Sequence, residues 1–100
     1  MKRLRVTGTS EFGSKTSCVV EIEGKKIALF RINEQFYAMD HFCAHRGGPL
    51  AEGNLDGNVV TCPWHGFQFD VMSGYCVTQP LIRQKTYPVE VKEDGVWIEI

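Results

Sequence analysis

With 100 residues, 43% of them hydrophobic, the chain can build one domain with an ordinary core and is too short for two. A formal net charge of −1 without any Lys/Arg run argues against a general nucleic-acid binder. No apolar stretch is long enough to span a bilayer, and the basic start Met1-Lys2-Arg3 has no hydrophobic segment behind it, so the expectation is a cytoplasmic protein with no membrane partner.

In chain order, apolar and polar residues alternate with period two nearly throughout, and no helical stripe of useful length occurs. Leu4 and Val6 mark a short first strand. Residues 17–23 and 26–32 form the best hairpin, joined at Gly24-Lys25. Asn33-Glu34 then turns the chain into a third strand over 35–39, which runs towards Cys43. Residues 50–55 are too short and glycine-bounded to be much helix, and Asp56-Gly57 is a turn ahead of a strand over 58–61. A return strand follows over 67–71, then a turn at Ser73-Gly74 and a loop through Pro80. Residues 86–92 and 96–100 close as a hairpin around Asp94-Gly95. The fold class is therefore all-β, with roughly eight to ten short strands. Lys85, Lys92 and the acids between them read as solvated face.

Two loops interrupt this plain pattern. One holds Cys43-Ala44-His45; sixteen residues later the other holds Cys62-Pro63-Trp64-His65. Each offers one thiol and one imidazole beside glycine or proline, which is a metal-site composition. Two chemistries accept it: a tetrahedral zinc site, or a [2Fe–2S] cluster with two His on one iron. Zinc modules commonly group cysteine with cysteine and histidine with histidine, whereas here each loop carries one of each. In extended chain, residues two apart face the same way, so Cys43 and His45 can both point inward while Ala44 points out. Two cysteines remain. Cys18 lies in phase with Val20 and Ile22 and reads as a small buried hydrophobe, while Cys76, beside Tyr75, has no readable role. His41 precedes Cys43 in phase and reads as a surface or loop-capping residue, because the four-ligand set is complete without it.

The runs His45-Arg46-Gly47-Gly48-Pro49-Leu50 and Cys62-Pro63-Trp64-His65-Gly66-Phe67-Gln68-Phe69-Asp70 resemble the two ligand loops of the Rieske iron–sulfur family. The resemblance implies a Rieske-like antiparallel β-sandwich or barrel with a small inserted cluster-binding subdomain. Residues 1–100 would be a single Rieske domain, with the subdomain over about 40–80 and a basal β subdomain over about 1–39 and 81–100. One [2Fe–2S] cluster would be held by Cys43 and Cys62 on one iron and by His45 and His65 on the other. Trp64 and Leu50 would cover it, and a third loop at Pro80 would shield it. The implied function is that of a Rieske-type ferredoxin: a one-electron carrier, monomeric by default, between a flavin-dependent ferredoxin reductase and a terminal oxygenase. No nucleophile–base set and no second mononuclear iron motif argues for catalysis. Two alternatives stand beside it, the small Rieske-like subunit of an assimilatory nitrite reductase and a zinc-stabilised interaction module. Members of the nitrite reductase group can lack cluster ligands, whereas all four ligand residues are present here.

The same resemblance sets an expectation for potential. Rieske clusters span about −150 to +300 mV, above the roughly −400 mV of plant-type ferredoxins. High-potential members carry a disulfide between the ligand loops and two hydroxyls near the cluster. The matching positions here are Gly48 and Trp64 for the bridge, and Phe67 and Phe69 for the hydroxyls. Without those hydrogen-bond donors the reduced form is less stabilised, and a potential near the bottom of the range follows. Between 40 and 80 four acids stand against Arg46 alone, formally −3, which suggests an acidic tip suited to a basic partner.

Overall fold

The computed structural model describes residues 3–8, 12, 15–43, 47–64, 66–79, 81–93 and 95–100. Ten strands run in the order β1 (Arg3–Gly8), β2 (Ser17–Ile22), β3 (Lys25–Ile32), β4 (Gln35–Asp40), β5 (Asn54–Asp56), β6 (Val59–Thr61), β7 (Gln68–Asp70), β8 (Thr86–Tyr87), β9 (Val89–Lys92) and β10 (Gly95–Glu99). They pair, always antiparallel, into three sheets: β1-β10-β9, β2-β3-β4-β8 and the small β5-β6-β7. The all-β expectation holds. A 3₁₀ turn at Leu50–Glu52 is what the short segment after the first motif forms.

The β2-β3-β4 meander is built by its turns. Glu23 and Gly24 both take positive φ, 50° and 84°, as do Asn33 and Glu34 at 50° and 67°. Two consecutive residues in that region make the tight hairpin turn whose twist matches the strands. The first turn sits one residue earlier than the Gly24-Lys25 expected, because Ile22 pairs with Lys25.

β3 is the keel of the molecule. Ile27, Ala28, Leu29 and Phe30 are all fully buried, so this strand faces a core on each side, as an unbroken apolar run does. Ile27 and Leu29 join Phe12, Phe36, Ala38, Tyr87, Val96 and Ile98 in the basal core. Phe12 and Phe36 meet edge to face at 5.1 Å within it. Ala28 and Phe30 look the other way, onto Met39, Leu50, Val60, Phe69 and the thiols of Cys43 and Cys62. Complete burial of a side chain such as Phe30 contributes on the order of 2 kcal/mol.

One predicted strand divides. Residues 86–92 were expected as one element, but Pro88 splits them: β8 pairs with β4, and β9 crosses to the other sheet to pair with β10. Proline has no N–H for a ladder, yet its carbonyl still accepts from the Glu99 N–H at 3.0 Å. No helix among the described residues is long and apolar enough to cross a membrane.

Candidate metal centre

Cys43 follows the end of β4 and Cys62 the end of β6, and the described backbone of the two loops around these cysteines follows one pattern. In the first, the Cys43 N–H donates to the Gly48 carbonyl at 2.8 Å and the Gly47 N–H donates to the Cys43 carbonyl at 2.7 Å. In the second, the Cys62 N–H donates to the Phe67 carbonyl at 2.7 Å and the Gly66 N–H to the Cys62 carbonyl at 3.0 Å. The glycine four residues after each cysteine has φ of +77° or +75°, a region only glycine enters without strain. Sequence spacing differs between the two motifs by one residue, but the backbone frame around each cysteine is the same.

Both thiols are buried, at 4% and 2% exposure, neither is in a disulfide, and both belong to one apolar cluster. His45, His65, Arg46 and Pro80 lie outside the described residues. Among the described residues, no three metal-ligating side chains gather at one point, so the visible part of the centre is the thiol pair and its loops.

Gly48 joins the two loops. A Cβ on it would stand 2.5 Å from Cys62 Sγ and 3.3 Å from Cβ and Cγ of Trp64. The first loop is therefore pressed against the second, and the room beside the Cys62 sulfur exists because residue 48 has no side chain. Two soft, buried donors outside any disulfide, with space kept open beside one of them, suit an iron–sulfur group bound through thiolate. Leu50 is fully buried as expected, but Trp64 is 60% exposed; it braces Gly48 and faces solvent rather than sealing the site.

Three side chains outside the motifs fix the chain entering Cys43. Gln84 is fully buried, and its Nε2 donates to the carbonyls of Asp40 at 2.6 Å and Phe42 at 2.7 Å. The Tyr87 hydroxyl donates to the Asp40 carboxylate at 2.5 Å. His41 is buried rather than on the surface, and its Nδ1 accepts the Ala51 N–H at 3.4 Å, so the loop-capping role is the one it performs. Burial pushes its pKa down; Glu52 opposes the shift and Lys26 adds to it. Tyr87 is pushed up, first by burial and then by its hydrogen bond and charge contact with Asp40. Periodicity gives no sign of Gln84, since a lone buried amide fits no alternating pattern.

The remaining thiols have ordinary roles. Cys76 is buried, with its Sγ 3.3 Å from the Thr78 hydroxyl, which itself accepts the Gln68 N–H at 3.2 Å. Cys18 packs partly against the basal core, and burial pushes its thiol up while Lys15 pulls the other way, as suits a small hydrophobe.

Among the described residues the acids of this segment divide: Asp40 and Glu52 stay near the first loop, while Asp56 and Asp70 lie on the small sheet. Asp56 pairs with Val59, which pairs with Asp70, and this end of the small sheet is opposite to Thr61 and Cys62. Asp70 accepts from Asn58 Nδ2 and from the Met72 N–H, and Asp40 is occupied by Tyr87. Summing charge by segment misplaced Asp56 and Asp70, because a hairpin sends half its residues away from the loop it delivers.

A family model described as the Rieske [2Fe-2S] domain matches residues 2–90. The ferredoxin component of a naphthalene 1,2-dioxygenase system from Pseudomonas aeruginosa is 35% identical over 82 residues, covering 81% of this chain and 79% of that protein. A chain in a solved complex of reduced oxygenase and oxidised ferredoxin of carbazole 1,9a-dioxygenase superimposes with a TM-score of 0.87 at 36% identity, covering 96% of this chain and 91% of the other. A chain provisionally assigned to the small subunit of an NADPH nitrite reductase shares the fold, with a TM-score of 0.85 at 22% identity over the whole of both chains.

Proposed function

Because the chain belongs to the Rieske [2Fe–2S] domain family, we propose that Cys43 and Cys62 hold one iron of its cluster, that His45 and His65 hold the other, and that the electron it carries goes to a terminal oxygenase. The chain is an electron-transfer protein with one Rieske-type [2Fe–2S] cluster, not itself a catalyst. That reading leaves no place for the zinc-module alternative.

The observation that supports the ligand set is the pair of matched backbone frames, each presenting a buried thiol that is not in a disulfide. When bound, the cluster supplies a site that takes up and releases one electron. The chain's own residues supply the rest. Gly47 and Gly66 shape the loops, Gly48 leaves room beside the Cys62 sulfur, and Leu50, Val60 and Phe69 keep water from the thiol side. Gln84 and Tyr87 hold the strand that delivers Cys43. Rigid surroundings suit this task, since an electron carrier works best when little rearranges between its two redox states.

A flavin-dependent ferredoxin reductase is the donor in this proposal, and the chain acts as a monomer in the cytoplasm, where a reducing environment suits four cysteines outside any disulfide. The subdomain division at about 40–80 follows the separate sheet of β5, β6 and β7. The nitrite reductase relation rests on fold alone and adds no competing observation.

The test is reconstitution. The holoprotein, mixed with a ferredoxin reductase, NADH and a Rieske oxygenase of the naphthalene type, should support substrate-dependent NADH consumption. Uptake of no electron by the chain under dithionite would refute the carrier reading. Uptake without transfer to any such oxygenase would refute only the named acceptor.

A further inference from the structure

Strand pairing assembles a basic face beside the entry to the first ligand loop. Ile27 pairs with Asp40, and the Asp40 N–H donates to the Lys85 carbonyl at 2.9 Å. Directly opposed residues of neighbouring strands share a face, as do residues two apart along a strand. Lys25, two before Ile27, and Arg83, two before Lys85, therefore come to the side of Asp40 and Phe42. Side-chain positions agree. The ammonium groups of Lys25 and Lys85 both lie over the Tyr87 ring, at 5.9 and 5.1 Å from its centre, and the Tyr87 hydroxyl holds the Asp40 carboxylate. Arg83 lies over the Tyr75 ring at 5.0 Å.

Lys25, Arg83 and Lys85 are all exposed, and the ion pairs among the described residues involve none of them. Phe42, whose carbonyl is held by Gln84 between Arg83 and Lys85 in the chain, is 51% exposed and one residue from Cys43, and Leu81, two residues before Arg83, is 94% exposed. Exposed apolar side chains on the segments that carry Lys and Arg outside these ion pairs have the composition of a protein-binding surface. The whole chain has a formal charge of −1, so its overall field and this local field have opposite signs.

We propose that the face formed by Lys25, Phe42, Arg83 and Lys85 is a docking platform for a redox-partner protein whose contact surface carries carboxylates around an apolar patch. The proposal rests on the electron-carrier reading and gives it a direction of approach. It also overturns the basic partner that segment charge suggested.

Hexacyanochromate(III), a paramagnetic trianion, and hexaamminechromium(III), a trication of similar size, can stand in for partner charge. Added to the oxidised, isotope-labelled holoprotein, the anion should broaden the amide signals of Lys25, Lys85 and Tyr87 about tenfold more than the cation does. About 0.5 M salt should abolish that preference, and the double variant Lys25→Glu/Lys85→Glu should reverse it, while Lys92→Glu should leave it intact. In a second readout, the reduced protein passes one electron to hexacyanoferrate(III), which becomes hexacyanoferrate(II). That rate should fall as salt rises, and the double variant should invert the slope.

Equal broadening by both probes, or a wild-type rate that rises with salt as the overall charge requires, would overturn the proposal. Concentration-dependent broadening of the same amides without probe would assign the face to a second copy of the chain and overturn it equally. A chain that cannot be reduced at all would instead sink the carrier reading, before any probe is added.

Discussion

Gln84→Leu is the most informative single substitution in the fold. The leucine nearly preserves volume, so little cavity opens, and the change reduces to hydrogen bonding. Two carbonyls, of Asp40 and Phe42, lose donors at 2.6 and 2.7 Å from a fully buried amide. Each buried acceptor left without a partner costs about 1–3 kcal/mol, so the pair costs about 2–6 kcal/mol. For a domain of this size that lowers Tm by about 8 °C or more. Thermal unfolding of wild type and variant, followed by circular dichroism with and without cluster, measures it. Gln84→Glu adds a signed control. At neutral pH its carboxylate has no proton to offer and faces two carbonyl oxygens, so it should be less stable than the leucine variant. Burial raises the carboxyl pKa in the folded state, so folding favours its protonated form. That contribution is fully present below the unfolded carboxyl pKa, and is lost as pH rises through the folded value. The glutamate variant should therefore overtake the leucine variant on acidification. A leucine variant within about 2 °C of wild type, or a glutamate variant whose pH profile runs parallel to wild type, would refute the role given to Gln84.

Gly48→Ala should separate the two states of the protein. In the apo chain the Cys62 sulfur can rotate away from a Cβ that would stand 2.5 Å off, so stability should change by under about 1 kcal/mol; under the proposed ligand set iron would fix that sulfur in the holoprotein, and overpacking should cost about 1–3 kcal/mol or more of cluster affinity. Equal cluster occupancy by iron and sulfide assay in both proteins would contradict this. Tyr87→Phe should lower stability at pH 7 and lose less on the alkaline side. The raised pKa of Tyr87 means its neutral form is favoured by folding, a contribution present below the ordinary tyrosine pKa of about 10 and lost above it. Denaturant midpoints at pH 8 and pH 11 should therefore converge between variant and wild type, and a constant gap would count against the Asp40 contact. A redox titration should place the potential below about 0 mV, and Phe67→Ser should raise it by supplying a hydroxyl donor; no shift would remove the hydrogen-bond explanation.

Much of this architecture was legible in the residues. The meander of β2, β3 and β4 follows from alternation with turn residues at its corners, and the two cysteines announce themselves because soft ligands in matched pairs are rare by chance. What the chain order hides is contact between distant segments. Gln84 sits in a stretch with no pattern, and only the pairing of 84–87 against 38–42 makes it a clamp. The division at Pro88 depends on two sheets competing for one run of residues. His41 alternates correctly with Cys43 but says nothing of burial, which comes from the 3₁₀ turn folded over it. Charge was least legible. Asp56 and Asp70 of the inserted segment end up at the far end of the small sheet, and the cations near the first ligand loop come from segments outside it.

The ligand set is tested most directly by electron paramagnetic resonance of the dithionite-reduced protein with electron–nuclear double resonance at nitrogen. Two coordinated imidazole nitrogens should couple to a single unpaired electron, with two irons and two acid-labile sulfides per chain, and the coupling to one nitrogen should disappear in His45→Cys or His65→Cys. A signal without nitrogen coupling, or a colourless chain holding one zinc, would contradict the assignment of Cys43, His45, Cys62 and His65.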